Sequence, residues 1–192
     1  MPKVVPEYKE KARERILEAA QQVFSEKGYY ETRMEDIAEK LGVSKRTLYL
    51  YYKNKEELFK AMCADAPSSI REMLKPCLAS SDSEDACSAF FNLSTEQPAA
   101  GLEFEIIAAA SRNPALRRIE KDLFESEFEV VSQFLHEMKK KGAVSQDFDV
   151  PRMARVLLAV YRGLMADLIM GVKKSEVRQA WTEATSLIMN SP

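Results

Sequence analysis

The segment MEDIAEKLGVSKRTLYLYYKNKEEL, residues 34–58, constrains this chain most, because one glycine separates two short stretches that each repeat apolar residues at helical spacing. Gly42-Val43-Ser44 offers a left-handed stop followed by a hydroxyl cap, so the spacing predicts two short helices joined by a tight turn. Ala38 lets the two helices approach closely, and Ile37, Leu41, Val43, Leu48 and Tyr52 have the spacing to fill a small core beneath them. Lys45, Arg46, Thr47, Tyr49, Leu50 and Tyr51 are then left on or near the outer side of the second helix. Basic side chains there can donate to guanine edges and phosphates, while tyrosine and leucine can contact thymine methyls and the sugar-phosphate backbone. Double-stranded DNA is the partner this surface suggests.

Apolar residues recur at helical spacing along nearly the whole chain, and no alternating pattern competes, so an all-α fold is expected. The first helix is expected over residues 7–27, since Ile16, Ala19, Ala20, Val23 and Phe24 share one face and Gly28 supplies a stop. Thr32 and Glu35 fit a capping box for the second helix, and Ser44 caps the third. Asn54 caps a longer helix running from Lys55 to about residue 75. Further helices are expected around 83–93, over 101–112 up to Asn113-Pro114, and then to Lys139-Lys140-Lys141-Gly142, where the lysines suit the negative end of the helix dipole. Asp149 and Pro151 open another that reaches about residue 170, and Ser175 starts the last. Two domains follow: a helix-turn-helix domain over 1–54 and a larger helical domain over 55–192.

Composition removes other classes of function. Residues 1–60 carry 13 Lys+Arg against 11 Asp+Glu and the remainder 15 against 19, so partner choice rests on local placement of charge. No apolar run approaches the roughly 20 residues that cross a bilayer, and the N-terminus lacks the apolar stretch of a signal peptide, so a cytoplasmic protein with no membrane partner is expected. Cys63, Cys77 and Cys87 lack metal-ligand spacing, His136 is the single histidine, and the thiols are expected to be buried or idle. With no glycine-rich phosphate loop and no histidine beside a nucleophile, neither an enzyme nor a cofactor is expected.

The stretch GYYETRMEDIAEKLGVSKRTLYLYYKNKEELF, residues 28–59, resembles the DNA-binding segment of the tetracycline-repressor (TetR) family of bacterial transcription regulators, and the preceding AAQQVFSEKGY fits as well. The resemblance covers about the first third of the chain. It implies that Lys45, Arg46, Thr47 and Leu48 front the recognition helix, that Tyr49, Leu50 and Tyr51 turn toward DNA, and that Thr32, Arg33 and Lys55 take phosphate, with Ser44 also a candidate DNA contact. Two positions depart from the family pattern: Glu35 stands where relatives often carry a basic residue, and Tyr51 where they commonly carry histidine. Glu35 has two roles open, the helix cap that its spacing favours and acceptance from a cytosine amino group.

The resemblance also implies a homodimer, a four-helix bundle of the last two helices from each subunit. Leu164, Leu168, Val177, Trp181, Ala184 and Ile188 are the dimerisation candidates; both stripes lying in a single-chain core is the other reading. A small-molecule effector is implied as well, and Phe90, Phe91, Phe104, Ile107, Phe124, Phe128, Tyr161 and Met165 are candidates to line an apolar pocket, with Glu103, Glu105 or Asp167 to meet a cation. The expected function is a sequence-specific regulator, a repressor released from a palindromic operator by a small apolar or cationic effector. A DNA-bound structural or adaptor protein without an effector is the alternative.

Overall fold

The computed structural model describes residues 6–64, 66–79, 87–88, 90–92, 95, 100–147 and 149–189. Among these, every regular element is helical: α1 (Pro6–Glu31), α2 (Met34–Leu41), α3 (Lys45–Tyr49), α4 (Lys55–Cys63), α5 (Ala66–Ala79), α6 (Ala100–Ala110), α7 (Pro114–Lys140), α8 (Val150–Ile169) and α9 (Lys174–Met189). Of the helix expected around 83–93, residues 87, 88 and 90–92 are helical, and the rest of that stretch lies outside the described residues. The chain divides into two compact units. The first takes in the residues before Ala66 together with Gly101–Glu120, and the second Ala66–Ala100 with Lys121–Pro192.

In the first unit α1 buries Ile16, Ala19, Ala20, Val23 and Phe24, the face that their spacing selects. Ile37, Ala38, Leu48 and Tyr52 close over it from the α2–α3 segment, and α6 and the first turns of α7 add Ile106, Ala109, Leu116 and Ile119 to the same core. Phe24 stacks on Tyr29 at 5.7 Å between centroids and meets the edge of Phe59 at 5.7 Å. Gly42 adopts φ 68° and ends α2. Its N–H donates to the Glu39 carbonyl at 3.0 Å and that of Val43 to the Ala38 carbonyl at 3.0 Å, which satisfies two of the carbonyls that a helix end leaves open. Val43, expected in the core, is 40% exposed, because the left-handed glycine carries it off the packed face.

Gly28, with φ 77° and ψ 170°, breaks the first helix as expected, and a short helical piece beyond that break carries α1 on to Glu31. Two local expectations are corrected. The capping box is shifted by one residue: Thr32 turns inward and donates to the Gly28 carbonyl at 2.6 Å, so Arg33 is the N-cap and its N–H donates to Asp36 Oδ2 at 2.7 Å. The helix expected from Lys55 to about residue 75 is two helices, α4 ending at Cys63 and α5 beginning at Ala66. Pro67 accounts for the break, since it has no N–H for a ladder arriving from α4 yet is tolerated in a first turn. Ser44 and Asn54 cap as expected, accepting from Thr47 N at 3.2 Å and Glu57 N at 2.7 Å.

Lys55, at the start of α4, holds the α1–α2 junction. Its ammonium donates to the carbonyls of Tyr29 at 2.6 Å, Thr32 at 2.8 Å and Tyr30 at 3.2 Å, and lies 4.4 Å from the centroid of the Tyr29 ring. Partial burial lowers the amine's pKa against the opposing pull of Glu56 and Glu105. From the other side Glu105 of α6 accepts the Tyr30 N–H at 3.0 Å. Its carboxylate occupies the space that a side chain at Gly28 would need, with Oε2 2.4 Å from the position of such a Cβ.

In the second unit α8 and α9 pack together, and Asp149 caps α8 by accepting from Arg152 N at 3.1 Å. Trp181 stands at the centre of an aromatic cluster with Phe90, Phe91 and Tyr161, at centroid distances of 6.0, 6.2 and 6.0 Å, and its indole N–H donates to the Cys87 carbonyl at 2.7 Å. An ion pair largely withdrawn from solvent, Arg162 to Glu127 at 2.8 Å, links α8 to α7. Cys77 and Cys87 are buried and Cys63 is half-buried.

The junction generates two tests. Gly28→Ala should cost about 1–3 kcal/mol, through the positive φ and through displacement of the Glu105 carboxylate, and adding Glu105→Ala should recover part of that loss. Urea denaturation of the four proteins in the cycle measures the coupling. Lys55→Met should cost about 2–3 kcal/mol because three carbonyls lose a charged donor, whereas the exposed Lys53→Met should stay within about 0.5 kcal/mol in the same titration.

Candidate nucleic-acid interface

Helix α3 has a single turn to present, and its orientation is fixed from beneath: Leu48 is fully buried and Tyr52 is 7% exposed. With those two inward, Lys45, Arg46, Tyr49 and Leu50 face solvent, Tyr49 at 40% and Leu50 at 77%. Leu50 is the C-cap residue rather than part of the helix. Tyr51 is half-buried and packs against the core of the first unit, and Thr47 is half-buried with its hydroxyl 2.8 Å from that of Ser44. Five of the expected residues, Ser44, Lys45, Arg46, Tyr49 and Leu50, therefore share one exposed surface.

Charge on this surface is partly paired. The Lys45 ammonium bonds the Glu35 carboxylate, across from α3 to α2, and lies 5.6 Å from the centroid of the Tyr49 ring. That hydrogen bond is the first cause holding the Glu35 carboxyl below its usual pKa and the Lys45 amine above its own. Asp36 is likewise held low, first by Lys27 at 2.9 Å and then by the Arg33 N–H. Arg33 itself is exposed beside this face.

Two residues expected at phosphate stand elsewhere. Thr32 is 1% exposed with its hydroxyl bonded inside the unit, and the Lys55 ammonium is spent on three carbonyls of the α1–α2 junction. The open carbonyls at the end of α1 draw in the nearest ammonium, a demand that residue type and spacing do not reveal. Sequence reasoning weighed the cap for Glu35 above any contact with DNA, and the structure gives the cap to Asp36.

The effector candidates divide between the units. Phe104 and Ile107 sit on α6 in the first unit, the former half-buried and the latter 38% exposed, while Ile106 and Ala109 carry that helix's buried face. In the second unit Phe90, Phe91 and Tyr161 join the aromatic cluster, Met165 is buried, and Phe124 and Phe128 lie under the Arg155 guanidinium at 5.8 and 5.0 Å. A groove of about 510 Å³ opens beside Phe128, bordered by Arg152, Arg155, Val156 and Ala159. A second of about 580 Å³ lies between α5 and α7, with Leu74, Val130 and Phe134 as its floor and Arg71, Lys75 and Lys140 at its rim. Among the dimerisation candidates Leu164, Leu168, Ala184 and Ile188 are half-buried, whereas Val177 and Trp181 are 1% and 3% exposed and belong to the core of this unit.

Residues 16–62 match the family model described as bacterial regulatory proteins, tetR family, and residues 81–189 match that of the BetI-type transcriptional repressor, C-terminal. The HTH-type transcriptional regulator UidR of Escherichia coli K12 is 28% identical over 158 residues, 81% of each chain. The solved structure of Salmonella enterica GusR has a TM-score of 0.79 at 22% identity, covering 93% of this chain and 95% of that one. The transcriptional regulator FadR from Bacillus subtilis, in complex with stearoyl-CoA, has a TM-score of 0.68 at 20% identity, with 93% and 98% covered. No helix among the described residues is long and apolar enough to cross a membrane. A helix-turn-helix with a basic and aromatic outer face, followed by a second helical unit matched by its own family model, places this chain in the TetR family of bacterial regulatory proteins as a DNA-binding transcriptional regulator.

Proposed function

We propose that the chain is a cytoplasmic homodimeric repressor whose two helix-turn-helix units cover a palindromic operator until a small molecule binds its second unit. The exposed face of Lys45, Arg46, Tyr49 and Leu50, built on a buried Leu48, is the observation that carries this reading. Lys45 is assigned to a base edge, with Tyr49 and Leu50 against thymine methyls and sugars, and Arg33, Ser44 and Arg46 against phosphate. Thr32 and Lys55 act from within by fixing the junction on which α2 and α3 rest.

Two copies are required because one turn of helix reads few base pairs, and paired half-sites about 34–36 Å apart present their major grooves on one side of the duplex. The dimer face is assigned to exposed residues of α8 and α9. Val156, Ala159 and Gly163 recur at heptad-like spacing on α8, and Ala180 and Leu187 stand out on α9, Leu187 at 77% exposure. Small side chains at 159, 163 and 180 let helices approach closely. The face thus lies beside the stripe that included Val177 and Trp181.

The effector is assigned to the second unit, as a predominantly apolar molecule. Each groove sets basic side chains beside an acid, Asp149 in one and Glu137 in the other, so its apolar residues recommend an apolar molecule, and Glu105 is already engaged with Tyr30. Stearoyl-CoA bound to FadR supports a small-molecule site in a fold of this kind. Since α4 and α5 are separate, the continuous element is α7, whose Leu116 and Ile119 lie in the first unit's core and whose later turns belong to the second unit. Glu105 then links neighbouring α6 to the junction clamped by Lys55. An effector favouring the released state a hundredfold supplies about 2.7 kcal/mol of coupling, and operator DNA weakens the effector by the same factor.

Two experiments test the assembly. Lys45→Ala should cost about 1–3 kcal/mol on the operator and relax preference at one position of each half-site, whereas Arg33→Ala should weaken all sequences alike and reduce the salt slope by about one. Anisotropy titrations at several salt concentrations separate the two effects, and unchanged operator binding by both variants rejects the face. Leu187→Glu should yield folded monomers that bind DNA poorly, because a charge in the dimer seam is costly to bury, and Trp181→Glu should instead unfold the second unit. Light scattering with circular dichroism reads both, and a wild-type monomer at micromolar concentration rejects the dimer.

A further inference from the structure

The carboxylate of Glu35 lies in the first turn of α2, where the helix N-terminus favours an acid, but the cap itself does not need it. Asp36 supplies the acid that receives the Arg33 N–H, and Lys27 pairs with Asp36 rather than with its neighbour. Glu35 instead reaches across the helix-turn-helix to Lys45, with half of each side chain in solvent, at 50% and 54%. Such an exposed pair adds little to stability. Its placement is distinctive: an acid and a base, one from each helix of the motif, lie side by side on the face that carries Tyr49. A surface that serves only to attract phosphate gains nothing from a carboxylate there, because the anion repels the backbone and occupies the lysine.

We infer that Glu35 and Lys45 together form a two-part reader of one G·C base pair, or of a G·C pair and its immediate neighbour, in each half-site. In the major groove guanine presents its O6 and N7 acceptors next to the N4 amino donor of the paired cytosine. A carboxylate beside an ammonium is the complementary array. On binding, Lys45 turns its donors to guanine and Glu35 accepts from cytosine, so each exchanges a contact with the other for a contact with a base. Where thymine stands in place of that cytosine, Glu35 faces the O4 acceptor and Lys45 meets the adenine N6 amino donor in place of guanine O6, so the array no longer matches. The lysine supplies attraction and the glutamate supplies discrimination, including against DNA of any other sequence. Tyr49, under the Lys45 ammonium, limits how far the lysine swings away from its partner.

This inference rests on the assignment of the Lys45 face to DNA, and the test separates the two. The full-length chain, as wild type and as Glu35→Ala, Glu35→Gln and Lys45→Ala, is passed through selection on a randomised duplex library, and affinities are then measured for single-position variants of the selected site. Wild type should select a G·C pair at a symmetric position, and Lys45→Ala should weaken the preference there. Glu35→Ala should lower discrimination at that position by roughly ten- to hundredfold, the size of one good base contact. It should leave the other positions intact and raise affinity for unrelated DNA, since an anion has left the face. Glu35→Gln, whose amide oxygen still accepts, should retain part of the preference. A Glu35→Ala protein that selects the wild-type sequence with undiminished stringency overturns the reader while leaving the Lys45 face standing. Wild-type selectivity untouched by Lys45→Ala overturns the face and the reader with it. A uniform loss of affinity at every position, accompanied by a lower melting temperature, makes Glu35 a structural residue and also overturns the proposal.

Discussion

The Lys55 ammonium, bonded to the carbonyls of Tyr29, Tyr30 and Thr32, is the contact on which the exposed face of the helix-turn-helix rests. The short segment after the Gly28 kink leaves carbonyls without helical donors, and here they point to one place, beside the start of α4. One lysine fills that place and sets where α2 leaves α1. Because α3 follows α2 after a single left-handed glycine, the direction of the whole outer face descends from this clamp. The neighbouring aromatic trio of Phe24, Tyr29 and Phe59 supplies the apolar mass, and burial with the nearby Glu56 pushes the Tyr29 phenol well above its usual pKa. The charge supplies the angle.

The same junction is where α6 meets the DNA-binding motif within the first unit. Gly28 has no side chain, its φ is one that L-residues avoid, and the vacated space holds the Glu105 carboxylate. A kink, a missing Cβ and an acid 75 residues away in sequence thus serve a single contact with the Tyr30 N–H. Opposite charges on either side of the Tyr29–Thr32 segment hold it between α4 and α6.

The exposed face around α3 shows how a net acidic chain can gather positive charge locally. Total charge contributes little, and placement does the work: Arg33, Lys45 and Arg46 are exposed around Tyr49 and Leu50, while acids such as Asp36 are tied to lysines or main-chain donors. Glu35 is the acid that remains on this surface, already paired to a base. Toward the other end of the chain, α8 and α9 carry exposed small and apolar residues as well as residues buried with Trp181, so an exposed apolar face and a buried aromatic cluster are built from neighbouring positions of the same helices.

Much of this was legible in order of residues alone. The apolar period of 16, 19, 20, 23 and 24 fixed a buried face because helical geometry admits no other, and Gly42, Ser44, Asn54 and Asp149 marked helix ends because caps are local, made by atoms within a few residues of one another. The helix-turn-helix and its family followed from that local grammar. What tertiary structure alone decided were the pairings between distant residues: Lys55 with the α1 carbonyls, Glu105 with Tyr30, Glu35 with Lys45, and Trp181 with the Cys87 carbonyl. Thr32 and Asp36 show the boundary between the two, since a cap displaced by one residue reads almost identically in sequence, and only the inward turn of the Thr32 hydroxyl settles it. Val177 and Trp181, expected at a dimer seam, are buried within the second unit, because periodicity shows that a face is apolar and not what covers it. A side chain's partner is chosen by which donors and acceptors the fold leaves open nearby, and that inventory exists only after the helices have packed.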